Sequence, residues 1–297
     1  MKISVVVVTR NRIRDCNETV ESLLKQTVQP EEIIVVDSGS LAPFVYDHPK
    51  VKVIRTSSEI GLSLSRNLGV RASKGDVVAF IDDDAIADED WVKGISNSIQ
   101  NADIVGGPVK PLYLSTRPKW TNDPRLTTTV LGITRCSQDV IGCNMAVRRE
   151  VFQRIGYFNS SLGRIRGKLL SGEEGDFFRR AQRCGMRNEF TKLMKVSHKV
   201  FPYRLTFRYL LNRLIWEGVT TYLVLCEERG KFNVLARVLP AIIADSLRVM
   251  IFGGRRFPAW IIAIRLGQLY GISAANTSSK IEREPPLESL EGKSVKL

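Results

Sequence analysis

Asp82, Asp83 and Asp84 stand in a row directly behind the apolar run of residues 77–81. Three adjacent carboxylates repel one another and need a counter-charge, which a divalent cation, Mg2+ or Mn2+, supplies. An ion held by carboxylates and bridging a diphosphate stabilises the negative charge that develops on a nucleotide leaving group. A solvated acidic turn is the plainer account of the same three residues. A second acidic group, Gly172-Glu173-Glu174-Gly175-Asp176, opens a helical stretch, and by itself reads as N-terminal acids that favour the helix dipole. His198 shares one face of a predicted strand with Val196 and Val200, the ordinary setting of a satisfied core histidine. Other chemistries fail on spacing. An EF-hand would need glycine where Ala87 stands and a carboxylate where Lys93 stands, and the phosphate-binding pattern GxxxxGK[ST] is absent. An aspartate-nucleophile phosphatase would place its acids after the first strand, where this chain has Thr9. The five cysteines form no CxxC and the histidines number only two, which disfavours structural zinc and a disulfide framework.

The elements that must position these acids follow from hydrophobic periodicity. Residues 3–8 predict a strand, and Cys16, Val20, Leu23, Leu24 and Thr27 fall on one side of a following helix. Further strands are predicted at 33–36, 51–54, 77–81 and 104–105, with helices carrying Ile60, Leu64 and Leu68 on one stripe and spanning 91–99. Apolar runs buried on both faces and separated by amphipathic helices specify an α/β fold with a mostly parallel, doubly wound sheet. Ligands bind such sheets at the carboxyl ends of the strands. Thr9, Asp37 and Asp82 to Asp84 stand at three such ends and would line one crevice, although each alone also suits a cap or turn, and for Thr9 that account suffices. Residues 108–142 hold Pro111, Pro118 and Pro124 and read as a loop-rich insertion. A helix is predicted at 148–155, and a glycine-rich basic stretch at 163–168 leads into the second acidic group.

Taken together, residues 5–11, Val35 to Ser40, Arg66-Asn67, residues 80–84, 142–148 and 172–176 resemble the family-two glycosyltransferases, in that family's order along residues 1–200. The resemblance implies a GT-A fold, a nucleoside-diphosphate sugar donor and inversion at the anomeric carbon. It places Thr9, Arg10, Asn11 and Asp37 on the nucleoside, Arg66 facing the donor's phosphates, Asp82 and Asp83 near ribose and sugar, and Asp84 on the metal, with His198 close to metal and diphosphate. Gly142 and Asn144 match the segment beneath sugar and acceptor, where glycine permits close approach and Asn144 can bond sugar hydroxyls. Asn144 serves equally as a strand-end turn residue. In the family's acidic motif the second carboxylate is the catalytic base, commonly aspartate. This chain has Glu174 there, with Glu173 and Asp176 as the alternatives.

The sequence divides into a catalytic domain at 1–200, in a donor half (1–107) and an acceptor and base half (108–200), a basic amphipathic helical region at 201–275 and a flexible tail at 276–297. A 43% hydrophobic content fills a substantial core, and a net charge of +13 calls for an anionic partner. Arg204, Arg208, Arg213, Arg229, Lys231, Arg237, Arg248, Arg255, Arg256 and Arg265 accompany the large apolar residues of the third region. Such helices suit the surface of an anionic membrane, and equally an ordinary helical subdomain; nucleic acid ranks behind both, because no nucleic-acid module is present. The opening apolar run is too short for a signal peptide, and no uncharged stretch approaches the ~20 residues of a membrane span. A cytosolic enzyme, peripheral on the membrane's cytosolic face, is therefore expected. It would move a sugar from a UDP or GDP donor to a saccharide or lipid-linked acceptor, the alternative being a non-catalytic binding protein on the same fold.

Overall fold

The computed structural model describes residues 1–134, 140–229, 238, 240–245 and 260–277. Strands β1 (Ile3–Thr9), β2 (Glu32–Asp37), β3 (Val51–Arg55) and β4 (Val77–Asp82) are parallel and lie in the order β3-β2-β1-β4. Their side chains alternate between two cores, as the two-residue period of a strand requires. Val5, Val7, Ile33 and Val35 enter one core, with Cys16, Val20 and Leu23 of helix α1 (Ile13–Leu24). Val6, Ile34 and Val36 enter the other, on the side of helix α2 (Leu62–Ala72). A Cβ at Gly69 would collide with Val6, so this glycine lets α2 lie directly on β1.

The chain continues through β5 (Ala85–Ala87), α3 (Trp91–Ser98), β6 (Ile104–Gly106), β7 (Val109–Tyr113), the short turn α4 (Pro124–Leu126) and β8 (Asn144–Arg148). Helices α5 (Arg149–Ile155) and α6 (Glu173–Arg183), strands β9 (Asn188–Phe190) and β10 (Val196–Val200), and helix α7 (Phe207–Arg229) follow. The main sheet has seven strands in the order β3-β2-β1-β4-β8-β6-β9, mostly parallel, with β8 antiparallel to both β4 and β6. The α/β class and the mostly parallel sheet are those expected.

Two features differ from the sequence reading. Residues 142–148 show no strand periodicity because β8 lies inside the sheet and is buried on both faces. The stretch at 108–142 is not all loop: β7 opens it and joins β5 and β10 in a separate three-stranded sheet of order β5-β10-β7. Pro111 is tolerated there because β7 is an edge strand.

The chain forms two compact units, Met1–Leu214 and Ile215–Leu297. In the second, the last part of α7 meets the helix Trp260–Thr277 at glycines: a Cβ on Gly218 would strike the Ile264 carbonyl, and one on Gly267 the Ile215 carbonyl. Among the described residues no helix is long and apolar enough to cross a membrane. Arg237, Arg248, Arg255, Arg256 and residues 278–297, most of the expected tail, lie outside the described residues.

Candidate active site

Register carries the donor-side residues to one edge. Val8 of β1 pairs with Asp82 of β4 and Thr9 with Asp37 of β2, so the three parallel strands end together. Beyond this edge Asn11, in a left-handed conformation (φ 57°), accepts from the Leu41 amide (2.7 Å) and donates its own amide to Ser40 Oγ (2.8 Å). Asp37 is fully buried and accepts from the Ser40 and Phe44 amides (2.9 and 3.1 Å) and from Arg55 Nη1 (3.3 Å). Arg10 is paired with Glu59 at 3.2 Å. These residues therefore knit the loops after β1 and β2 into one wall.

The aspartate row differs in its partners. Asp83 accepts from Thr9 Oγ1 (2.8 Å) and Arg12 Nη1 (3.1 Å). Burial, opposed by Arg12 and reinforced by its two neighbouring aspartates, pushes its carboxyl up to about 7. Asp82, partly exposed, and buried Asp84 and His198 come together, with one ligand atom from each within 4.8 Å of the others. The small sheet makes this meeting: β10 pairs antiparallel with β5, setting His198 opposite Ala85, and the Lys199 amide donates to the Asp84 carbonyl (2.9 Å). His198 Nε2 then stands 2.9 Å from Asp84 Oδ1. Although burial acts the other way, His198, Arg12 and Arg204 hold the Asp84 carboxyl well below the usual carboxylate range.

Arg66 links this cluster to the second acidic group. Its buried guanidinium donates to Glu173 Oε1 (3.1 Å), Glu174 Oε1 (3.3 Å) and Asp82 Oδ1 (3.4 Å), so it is held by carboxylates and does not stand free for a phosphate. The three acids of α6 take different places. Glu173 is interior, with Oε2 buried and without a hydrogen-bond partner among the described residues. Burial, then the charge of Glu174, push its carboxyl up to about 8 against the pull of Arg66. Glu174 is the more open of the pair, its side chain 21% exposed against 3% for Glu173. Asp176 turns along its own helix to Arg180 Nε (2.9 Å). Gly142 lies beneath Glu174, where a Cβ would collide with Oε1.

Asn144 is not placed to meet a sugar. It is fully buried, accepts from Trp91 Nε1 (2.7 Å) and donates to the Met194 and Pro108 carbonyls (2.8 and 3.3 Å), so its amide ties β8 into the core. Two cations absent from the sequence reading of the site stand at its metal end. Arg12 Nη1 lies 2.7 Å from Asp84 Oδ2 with its guanidinium over the Phe201 ring, and buried Arg204 lies 3.8 Å from the same oxygen. Arg12 had one signal, its place one residue beyond Asn11; Arg204 had none.

Known proteins share the family and the fold of this chain. The profile of Glycosyl transferase family 2 matches residues 4–156. A glucosyl-dolichyl phosphate glucuronosyltransferase of Haloferax volcanii is 32% identical over 241 residues, covering 73% of this chain and 75% of that protein. GalNAc-T7, solved with UDP, GalNAc and Mn2+, superposes with a TM-score of 0.55 at 19% identity, over 74% of this chain and 48% of its own. S. aureus TarS 1-349 in complex with UDP does so with a TM-score of 0.50 at 20% identity, over 73% of this chain and 65% of its own. At such identities these two structures establish the GT-A fold, whereas the profile and the relative establish membership. The chain belongs to Glycosyl transferase family 2 and is a glycosyltransferase.

Proposed function

We propose that the protein transfers a sugar, with inversion, from a UDP-sugar to a hydroxyl of a saccharide or lipid-linked acceptor, with Glu174 as base and a divalent cation at Asp82, Asp84 and His198. The observation that carries this reading is the bridge made by Arg66, bonded on one side to the carboxylate and imidazole cluster through Asp82 and on the other to the partly open carboxylate of Glu174. Two carboxylates and an imidazole fit Mn2+ well and Mg2+ acceptably. When bound, the ion supplies charge stabilisation to the departing diphosphate.

The chain's own residues account for the remaining steps. Glu174 accepts the proton of the acceptor hydroxyl as its oxygen attacks the anomeric carbon and the bond to UDP breaks. Arg66 orients that carboxylate, and Gly142 leaves room for it. The wall built by Asp37, Asn11 and Ser40 receives the nucleoside. The UDP held by both solved neighbours supports uridine, and the name of the Haloferax relative supports a lipid-linked acceptor. The basic residues beyond 200 support contact with an anionic membrane surface.

Chelation tests the metal. Nucleotide-sugar turnover and UDP affinity measured by calorimetry should be lost in excess EDTA and return with Mn2+. Asp84→Ala should reproduce the loss with an unchanged circular dichroism spectrum. Full turnover in excess EDTA would overturn the metal assignment.

A further inference from the structure

His198 meets Asp84 through Nε2, while its Nδ1 is buried and has no hydrogen-bond partner among the described residues. A ligating histidine ordinarily has its second ring nitrogen held by a carboxylate, a carbonyl or water, which sets the direction of the ring. Here that direction comes from the backbone of β10. The strand pairs with β5 over three residues and with β7 over five. Ladders this short specify register weakly unless side chains enforce it, and a slip of one residue turns every side chain to the other face.

Lys199 supplies the enforcement. As the residue after His198 in the strand it projects to the opposite face, where its Nζ lies 2.7 Å from Asp15 Oδ1 and 2.6 Å from Glu18 Oε2 of α1. The lysine side chain is 7% exposed. A slip of β10 would break both ion pairs and leave a buried ammonium unpaired, which is costly. Helix α1 grips the aspartate turn as well. Its N-cap residue Arg12 pairs with Asp83 and Asp84, and fully buried Thr19 directs its hydroxyl to the Asp83 and Ala85 carbonyls (3.0 and 2.8 Å). One helix therefore holds both halves of the cluster, the turn of Asp84 directly and the strand of His198 through Lys199.

We propose that Lys199 is a positioning residue for the metal site: its ion pairs with Asp15 and Glu18 fix β10 on α1 and so set His198 against Asp84. The proposal rests on the reading of Asp82, Asp84 and His198 as a divalent-cation site and adds the residue that assembles it. Lys199 supplies no ligand. Its two acids are partly exposed, Asp15 20% and Glu18 41%, so removing the lysine returns them to water and leaves the fold intact.

UDP binding followed by calorimetry at rising Mn2+ tests this, the readout being the Mn2+ concentration that gives half the effect. Lys199→Met keeps the apolar stem and loses the charge. It should raise that concentration at least about tenfold with an unchanged circular dichroism spectrum, and Lys199→Arg should recover most of the loss. A double-mutant cycle separates positioning from a general loss of packing. Once His198→Ala has removed the ligand, adding Lys199→Met should cost no more than about twofold. Glu18→Gln, at the exposed end of the tie, should shift the Mn2+ dependence in the same direction, and it carries the test if Lys199→Met does not fold. A wild-type Mn2+ dependence in Lys199→Met, or in Glu18→Gln where that variant is unfolded, would overturn the proposal. So would the full tenfold loss recurring in the His198→Ala background, since Lys199 would then act on the scaffold at large. Wild type that binds UDP without regard to Mn2+ would overturn instead the metal reading on which the proposal rests.

Discussion

Glu174 and Glu173 are neighbours in sequence with opposite surroundings, and their substitutions should separate accordingly. Glu174→Gln keeps the hydrogen bond from Arg66 and removes the proton acceptor. Turnover should fall by ~10²- to 10⁴-fold while UDP affinity stays near that of wild type, as steady-state kinetics and calorimetry would show. If Glu173→Gln abolishes turnover and Glu174→Gln spares it, the base belongs to the neighbour. Glu173 has a pH signature instead. Its folded carboxyl sits at about 8 against an ordinary 4.5, so between these values the folded state holds a proton that the unfolded state has released. Its stabilising contribution is complete below about 4.5 and is lost as pH rises toward about 8. Melting temperatures across this window should decline more steeply for wild type than for Glu173→Gln. Equal slopes would show that Glu173 is ionised in the fold.

At the scale of elements, the site depends on two close approaches that no single residue reports. The loop before β8 passes under the first turn of α6 because Gly142 has no side chain. Gly142→Ala would force the Glu174 carboxylate away from Arg66. Turnover should drop at least about tenfold with UDP binding and the circular dichroism spectrum unchanged, and an unaltered rate would show that Glu174 has room to move. The second approach is made by β10, which brings His198 to Asp84 across 114 residues of chain. The strands β1 to β4, helices α1 and α2 and the carboxyl edge carrying Thr9, Asp37 and Asp82 were legible, because each depends on apolar spacing within a few residues. Strand β8 and the three-stranded sheet were not. The first is buried on both faces and too short to show a period, and the second is assembled from three separated short segments, one of them interrupted by Pro111.

For the molecule as a whole, a net charge of +13 is the property with the longest reach. On the exposed side of α7's first turns Phe207 and Leu211 stand beside exposed Arg208, a pairing of apolar and basic groups suited to an anionic interface. The protein should float with vesicles containing phosphatidylglycerol and be released as salt rises, since attraction between exposed charges is screened beyond ~8 Å at physiological ionic strength. Arg208→Gln should lower the fraction bound, and equal partition onto neutral and anionic vesicles would exclude the electrostatic part.

Strand periodicity determined an α/β fold with a mostly parallel sheet from the sequence by itself, and the resemblance of its ordered motifs to the family-two glycosyltransferases implied the activity, since both kinds of signal lie within short windows of the chain. Tertiary structure alone decided which acids are usable. Asp83 is bonded by Thr9 and Arg12, Asp176 by Arg180 and Asn144 by Trp91, while Asp82, Asp84 and His198 gather their ligand atoms at one point and Glu174 stays partly open. Arg66 meets Glu173 across 107 residues, and Arg12 meets Asp84 across 72. Whether a carboxylate is a ligand, a base or a buried acid depends on burial and on the charges beside it, and both come from strands and loops distant in the chain.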